Sequence, residues 1–265
     1  MTLLQSIFLG ALQGVSEFLP ISSSGHLVVF RNFMDLGDVP ILFDILLHAA
    51  TLLVVIIVFR KIIGAMIVSL CRFIVRKADE DDKKNMRLIL IIIIASAVTA
   101  ALGLVIESIN VASKPKIVSL LFIVTAVVLL LTKLIKNENE GYTNLTVRTA
   151  IITGFAQGFA VLPGISRSGM TVAASLFSGI GKDKVGEYSL VLSIPAILGA
   201  IVLELKDLGQ LENAVAPSCM IAGMVTAFIV GLFAVLFLLN LIKKNRLHWF
   251  SFYLIPFGII SFIIL

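Results

Sequence analysis

The chain has 265 residues, of which 59% are hydrophobic and 14% are charged, with a formal net charge of +5. Because soluble domains carry about 25% charged residues, this composition excludes a soluble globular enzyme, and it also excludes a disordered chain or a disulfide scaffold. The basic residues form no stripe interleaved with aromatic side chains, so we expect no nucleic-acid partner. The two cysteines, Cys71 and Cys219, lie far apart in apolar segments and indicate small buried residues.

The first apolar stretch, residues 3–30, is interrupted at its middle by the sequence FLPISSSGH, residues 18–26. Pro and Gly break helices, and broken backbone is tolerated at membrane depth only where it lines a protein-enclosed cavity. We therefore predict a re-entrant pair of short helices here. Ionisable residues at this depth are functional candidates by default, which selects Glu17 and His26.

The polar residues of this first break suit an anion site. Glu17 and Gln13 lie four residues apart on one helical face. The serines 22–24 follow a helix break, where free backbone N–H groups can bind an anion, and His26 can act as an acid or a base. The alternatives are that the serines bond back to helix carbonyls and that Glu17 is a structural acid paired with Arg167.

Three spans of about 20 apolar residues follow, at 41–59, 87–106 and 116–135. The stretch 60–77 between them has basic residues at both ends, so we expect a helix lying on the membrane surface, with a short span as the alternative. Asp44 and His48, four residues apart, either support the site or bond between helices. Arg31 either attracts an anionic headgroup or extends to the surface.

The second broken stretch, residues 148–180, contains the sequence LPGISRSG at 162–169. An arginine flanked by two hydroxyls and unwound amides is typical of a phosphate-binding site, here Ser166, Arg167 and Ser168. Alternatively, Arg167 caps helix ends with its five donors. We predict a second re-entrant pair in this stretch.

Three further spans follow, at 186–203, 217–241 and 248–265. Glu187 lies at the start of the first of them, which favours a capping role. Small residues such as Gly199 and Ala200 permit close helix packing, either within one chain or between two copies in a homodimer.

The lysine and arginine residues divide unevenly when the spans alternate across the bilayer. With 60–87 placed inside, the inner segments hold sixteen basic residues and the outer segments hold three. Because cytoplasmic loops carry the excess of Lys and Arg, we predict both termini outside, the first break opening outward and the second opening to the cytoplasm. The inner segments are 60–87, 133–148, 181–186 and 243–246, and the outer segments are 107–116 and 204–217.

The chain also repeats itself. We predict one membrane domain, 1–265, with repeats at about 1–136 and 147–265, each a re-entrant pair followed by three spans. An odd number of spans inverts the second repeat, an architecture common among secondary transporters. A shift of 144 residues places Gly10, Gln13, Gly14, Ser22, Ser24 and Gly25 on Gly154, Gln157, Gly158, Ser166, Ser168 and Gly169.

Together these motifs resemble the bacterial undecaprenyl-diphosphate phosphatase family of the bacitracin-resistance type, over essentially the whole chain. The (E/Q)xxxE motif of that family is matched by residues 13–17, and its PGxSRSG motif stands complete at 163–169. The segments FDILLHAAT at 43–51 and GEYSLVLSIP at 186–195 are also similar to family segments.

The resemblance implies site residues and a cofactor. The catalytic residues are expected to be Glu17, Ser23, His26 and Arg167. A divalent cation, Mg²⁺ or Ca²⁺, is expected on Glu17 together with the substrate phosphates. The residues expected to bind substrate phosphate are Gln13, Ser22, Ser24, Gly25, Ser166, Ser168 and Gly169.

The implied reaction is hydrolysis of a polyprenyl diphosphate lipid to its monophosphate and phosphate, which recycles the lipid carrier of cell-wall synthesis. Either Ser23 attacks the phosphate or it positions a water, and either Glu17 or His26 takes the proton. We expect an all-α polytopic protein of the bacterial plasma membrane whose active site opens to the outer face. The alternative is a transporter of polyprenyl phosphate, with transport as its only activity or as a second one.

Overall fold

The structure, a computed structural model, describes residues 1–34, 39–107, 111–135, 140–142, 145–205 and 215–265. Within these ranges the chain forms eleven α-helices and no strand, which confirms the all-α prediction. The helices are α1 Leu3–Phe18, α2 Ser23–Phe33, α3 Ile41–Val58, α4 Arg60–Ile74, α5 Glu80–Glu107, α6 Pro115–Leu131, α7 Val147–Phe159, α8 Arg167–Phe177, α9 Val185–Leu205, α10 Pro217–Lys243 and α11 Ser251–Ile264.

Six of the helical segments are long and apolar enough to cross a membrane, which confirms the six predicted spans. They are α3, α5, α6, α9, α10 and the segment Leu247–Ile264, in which a short 3₁₀ turn leads into α11. The chain is therefore an all-α polytopic membrane protein. The predicted segments 107–116, 133–148 and 204–217 lie partly outside the described residues.

The helix α5 begins seven residues before the predicted start at 87, at Glu80. Its first turn carries Glu80, Asp81 and Asp82, which stabilise a helix N-terminus through the helix dipole. Lys83 donates to Glu80 at 2.6 Å and Lys84 donates to Asp81 at 2.8 Å. These charged pairs let the helix continue beyond its apolar part, so apolarity alone underestimates its length.

The helix α4 is a separate element of 15 residues, shorter than a span, as expected for the stretch 60–77. It follows α3 after a single residue, Phe59, and packs against α5. Among its side chains only Ser69 is buried, and Ser69 donates to Asp82 of α5 at 2.6 Å. This arrangement fits a helix that lies along a surface.

The two interrupted stretches form two pairs of short helices. The helices α1 and α2 contain 16 and 11 residues, and α7 and α8 contain 13 and 11. Each is shorter than the roughly 20 residues that a span requires. These lengths are compatible with re-entrant pairs, but the re-entrant placement in the membrane and the side on which each pair opens both stay predictions.

The first helix of each pair packs through glycines against a helix of the other predicted repeat. The helix α1 lies along α10, where a Cβ on Gly14 would lie 2.7 Å from the Ala227 carbonyl oxygen. The helix α7 lies along α5, where a Cβ on Gly154 would lie 2.6 Å from the Ala95 carbonyl oxygen. Small residues allow such close helix packing in membranes. The repeated glycines therefore serve the same packing role in both halves, although the repeat itself stays a prediction.

Candidate active site

The two helix breaks meet at the centre of the molecule. The Ser22 hydroxyl caps α2 by accepting from Gly25 N–H at 3.3 Å, and it also accepts from Gly164 N–H, in the other break, at 3.0 Å. A Cβ on Gly25 would lie 2.6 Å from the Gly164 nitrogen. Glycine at 25 thus permits the backbones to touch, and Ser22 ties them together.

Two residues of these breaks adopt left-handed backbone. Ser22 has φ 72°, which is uncommon for a residue with a side chain, and Gly164 has φ 98°. The two hydrogen bonds to the Ser22 hydroxyl help to stabilise this conformation. At Gly164 any side chain would collide with the Val118 carbonyl, so glycine is required for both conformation and space.

A cluster of three polar side chains surrounds Glu17 where the breaks meet. The Ser23 hydroxyl donates to Glu17 Oε2 at 2.6 Å, and Gln13 Nε2 donates to the same oxygen at 3.1 Å. Arg167 Nη2 donates to Glu17 Oε1 and forms an ion pair with it. The Glu17 side chain is 3% exposed, so this buried carboxylate is neutralised by the arginine.

The cluster lies in a cavity of about 750 Å³. Its walls come from α1, α2, α3, α5, α7, α8 and α9, so the cavity draws on both predicted repeats. The predicted site residues that line it are Glu17, Ser22, Ser23, Ser24, Ser166 and Arg167.

Two helices begin at this cavity. The helix α2 begins at Ser23 and α8 begins at Arg167, and the first residues of both lie on the cavity wall. The first N–H groups of a helix lack intrahelical partners, and the helix dipole favours an anion there. Helix N-termini and guanidinium groups both bind phosphate in proteins, and the wall of this cavity brings them together.

Four predicted phosphate-binding residues do not line this cavity. Ser166 Oγ caps α8 by accepting from Gly169 N–H at 3.1 Å and lies 3.2 Å from Ser168 Oγ. Since Gly25 N–H bonds to Ser22, both glycine N–H groups are already occupied by caps. Gln13 reaches the cluster through its hydrogen bond to Glu17. These four residues, Gln13, Gly25, Ser168 and Gly169, support the groups that line the cavity.

The predicted catalytic residue His26 lies apart from the Glu17 cluster, enclosed by aromatic rings. Its Nδ1–H donates to the Ser22 carbonyl at 2.8 Å, and its Nε2 lies 2.8 Å from the Tyr253 hydroxyl. Its ring stacks on Phe257 with centroids 4.4 Å apart and meets the edge of Phe122 at 4.9 Å. His26 is fully buried and does not line the cavity, so both ring nitrogens serve to fix the start of α2.

The cavity wall also carries polar residues to which the sequence analysis assigned no role. Gln157 Nε2 donates to Thr99 Oγ1 at 3.3 Å, while Gln157 Oε1 and the hydroxyl of Ser96 are buried without a hydrogen-bond partner in the described structure. Gln157 is the repeat counterpart of Gln13, which was the available signal. Thr99 and Ser96 lie inside an apolar span, where no sequence pattern indicated a functional role.

Asp44 of α3 bonds to a neighbouring helix, which was one of the two alternatives drawn from the sequence, whereas Arg31 follows neither of its own alternatives. Asp44 forms a two-pronged ion pair with Arg31, so Arg31 is bound within the protein. His48 Nδ1 lies 3.9 Å from Glu204 Oε2 of α9, and both residues line the cavity.

Glu187, expected to cap α9, accepts hydrogen bonds from the Tyr142 hydroxyl at 2.8 Å and from Lys184 at 2.9 Å. Burial and the Glu187 carboxylate raise the pKa of Tyr142. Glu187 therefore joins the start of α9 to Lys184 in the loop before it and to Tyr142 in the loop before α7.

Comparison with known proteins identifies the family. A family model described as bacitracin resistance protein BacA matches residues 6–260. A protein of Treponema denticola named undecaprenyl-diphosphatase is 49% identical over 98% of this chain and 96% of its own length. Proteins of the same name from Desulforapulum autotrophicum and Borrelia recurrentis are 41% and 40% identical, over 99% and 96% of this chain and 98% and 95% of their own lengths. The chain therefore belongs to the family of the bacitracin resistance protein BacA.

Proposed function

We propose that this protein hydrolyses undecaprenyl diphosphate to undecaprenyl phosphate and phosphate, and so recycles the lipid carrier used in cell-wall synthesis. The observation that carries the proposal is the Ser23 hydroxyl, hydrogen-bonded at 2.6 Å to a buried carboxylate beside Arg167. A nucleophile in phosphoryl transfer needs a base that accepts its proton and a positive group that binds the phosphate. The Ser23 hydroxyl has both, because it donates to Glu17 and lies beside Arg167. The names of the relatives support this substrate.

The terminal phosphate would bind between the two helix N-termini. Arg167 uses one N–H to hold Glu17, which leaves donors of its planar fork for phosphate oxygens. The free N–H groups in the first turns of α2 and α8 would complete this anion site. Arg167 would thereby neutralise charge on the phosphate while keeping Glu17 in place.

The chemistry would proceed in two steps at Ser23. In the first, Ser23 Oγ attacks the terminal phosphorus, its proton passes to Glu17 Oε2, and the bond from that phosphorus to the bridging oxygen breaks. The lipid monophosphate leaves with the bridging oxygen. In the second, a water attacks the phosphoserine, releasing phosphate and restoring the serine with Glu17 as the proton carrier.

The oxygen atoms beside Glu17 fit the divalent cation that the family implies. Gln13 Oε1 is buried without a hydrogen-bond partner in the described structure, and Glu17 adds a carboxylate. Mg²⁺ prefers such oxygens and usually completes its shell with substrate phosphates and water. When bound, the cation would supply positive charge to the diphosphate. Gln13 and Glu17 are the residues that we propose to hold it.

We assign His26 a positioning role in this reaction. Its two ring nitrogens are occupied by the Ser22 carbonyl and the Tyr253 hydroxyl, so the proton from Ser23 would pass to Glu17 rather than to His26. By holding the Ser22 carbonyl, His26 would keep α2 oriented so that Ser23 reaches Glu17.

The cavity suits an amphiphilic substrate in the bacterial plasma membrane. Beyond the Glu17 cluster its wall includes the small residues Ala100, Gly103, Gly199 and Ala200, which leave room for an apolar chain. Gly199 and Ala200 thus line a cavity within one chain, while the homodimer stays a prediction. The cavity extends to Ile106 and Glu204, near the ends of α5 and α9. The excess of basic residues at the opposite helix ends supports a cavity mouth on the outer face.

Phosphate release from undecaprenyl diphosphate by the purified protein in detergent tests the proposal. We expect release that needs Mg²⁺, stops with EDTA and is lost in Arg167→Ala. Arg60→Ala, in the exposed first turn of α4, is the matched control and should retain activity. No release by a folded wild-type protein would overturn the proposal. None of the three relatives described is named as a transporter, so the transport alternative gains no support from them.

A further inference from the structure

The cavity contains a second pair of ionisable groups that the proposed chemistry does not use. His48 of α3 and Glu204 of α9 both line it, with His48 Nδ1 and Glu204 Oε2 3.9 Å apart. That separation is too long for a hydrogen bond. Both atoms are buried without a hydrogen-bond partner in the described structure. Buried polar atoms normally form hydrogen bonds, so two facing atoms without any indicate that a bound group completes the pair.

The position of this pair relates it to the reaction site. His48 and Glu204 line the same cavity as Glu17. Glu204 is the more exposed of the two, at 31% of its side chain against 18% for His48. The pair therefore lies beside the Glu17 cluster, with Glu204 toward the cavity mouth.

The shape of a lipid diphosphate places its second phosphate in this region. With the terminal phosphate on Arg167, the lipid chain must leave through the mouth, so the lipid-linked phosphate lies on the mouth side of the cluster. That phosphate is anionic and needs hydrogen-bond donors. Among the described cavity residues outside the Glu17 cluster, the basic side chain is that of His48. His26 does not line the cavity and is bonded to Tyr253 instead.

We propose that His48, held by Glu204, binds the lipid-linked phosphate of the diphosphate, an inference that rests on the proposed function. Nε2–H would donate to a phosphate oxygen while Nδ1 pairs with Glu204, so the imidazole would bridge the carboxyl group and the phosphate. His48 is then a specificity-determining residue. It favours substrates with two linked phosphates over those with one.

Two non-hydrolysable ligands test this pairing without requiring turnover. Methylenediphosphonate presents two linked phosphonate groups and methylphosphonate presents one. We would measure the binding of each by calorimetry to the full-length protein in detergent at fixed Mg²⁺ concentration. We expect wild type to prefer the diphosphonate and His48→Gln to weaken its binding by about 10-fold or more, the usual effect of losing a charged hydrogen bond. Binding of methylphosphonate should change by less than about two-fold if His48 contacts only the second phosphate.

Three further variants make the result decisive. Glu204→Gln should also weaken the binding of the diphosphonate. The double variant should lose no more affinity than His48→Gln alone, as expected of residues that act as a unit. His248→Gln removes a histidine outside the cavity lining and should change the binding of neither ligand. If His48→Gln unfolds, His48→Asn provides a shorter polar replacement for the same comparison.

The outcomes separate the two proposals. Unchanged diphosphonate preference in folded His48→Gln would overturn this inference alone, because the terminal phosphate site would still be working. Equal losses for both ligands would also overturn it and would assign the pair to packing between α3 and α9. Failure of Arg167→Ala to weaken either ligand would instead contradict the proposed function.

Discussion

The Ser22 hydroxyl accepts a hydrogen bond from the Gly164 N–H across 142 residues of sequence, and this bond joins the two helix breaks. Because the same hydroxyl caps α2, one oxygen fixes both the start of that helix and its distance from the second break. Ser23, the next residue, bonds to Glu17, and Glu17 bonds to Arg167 of the second break. The position of Ser23 beside Glu17 thus depends on Ser22, whose own hydroxyl is used in holding the two breaks together.

Ser22→Ala should destabilise the protein. The substitution leaves the N–H groups of Gly25 and Gly164 without their acceptor in a buried region, and each such loss costs about 1–3 kcal/mol. The measurement is thermal unfolding in detergent, with phosphate release measured in parallel.

Ser178→Ala is the matched control for Ser22, since the Ser178 hydroxyl donates to the Ala174 carbonyl near the end of α8 and joins no two segments of the described structure. We expect it to leave both stability and activity near wild type. Equal unfolding temperatures for the Ser22 and Ser178 variants would contradict the role given to Ser22.

Ser23→Ala should abolish turnover while leaving the fold intact. Removing the hydroxyl that donates to Glu17 removes the proposed nucleophile, so phosphate release should fall by at least about 10²-fold. Ser23 is half-buried and joins no helix cap, so the unfolding temperature should change little. Turnover close to wild type would show that water is the attacking group.

Gly10→Ala should destabilise the packing of α1 on α10. An added Cβ would collide with the Gly223 carbonyl, so one helix must move. Overpacking of this kind costs about 1–3 kcal/mol. The same substitution at Gly64, where a Cβ meets nothing within 4 Å, should be neutral or stabilising because alanine favours the helix. Thermal unfolding of the two variants side by side measures the difference, and similar unfolding temperatures would argue against the close packing.

Tyr253→Phe should remove one hydrogen bond from His26 while keeping the aromatic rings around it. The ring remains to stack on Phe257, but His26 Nε2 loses its partner at 2.8 Å. We expect a loss of about 1–3 kcal/mol in stability and a modest fall in the rate of phosphate release. A fall as large as that of Ser23→Ala, at unchanged stability, would show that Tyr253 and His26 belong to the proton-transfer path.

The sequence was sufficient to predict the six spans, the two helix breaks and the contact between Glu17 and Arg167 as one of its alternatives. Apolar length and helix-breaking residues determine these features locally. It was not sufficient to separate His26 from Ser23, which lie three residues apart on one helix. Their separation depends on Tyr253 and Phe257 of α11, which are far away in the chain.

The pairing of His48 with Glu204 shows the same limit of sequence reasoning. The spacing of Asp44 and His48 indicated a shared helical face, but their partners come from other helices, Arg31 of α2 and Glu204 of α9. Side-chain periodicity gives the face of a helix and not the neighbour that it meets. Glu204 at the end of an apolar span carried no motif that could single it out.

The packing of α1 against α10 has a consequence for how the protein is made. The ribosome produces Glu17 and Ser23 first, yet the helix that supports them and the arginine that neutralises Glu17 emerge much later. A chain stopped after α6 would carry the proposed nucleophile and base without Arg167 or the α10 surface. We therefore expect activity only once α8 and α10 have been made, and separately expressed halves would have to assemble before either could act on lipid.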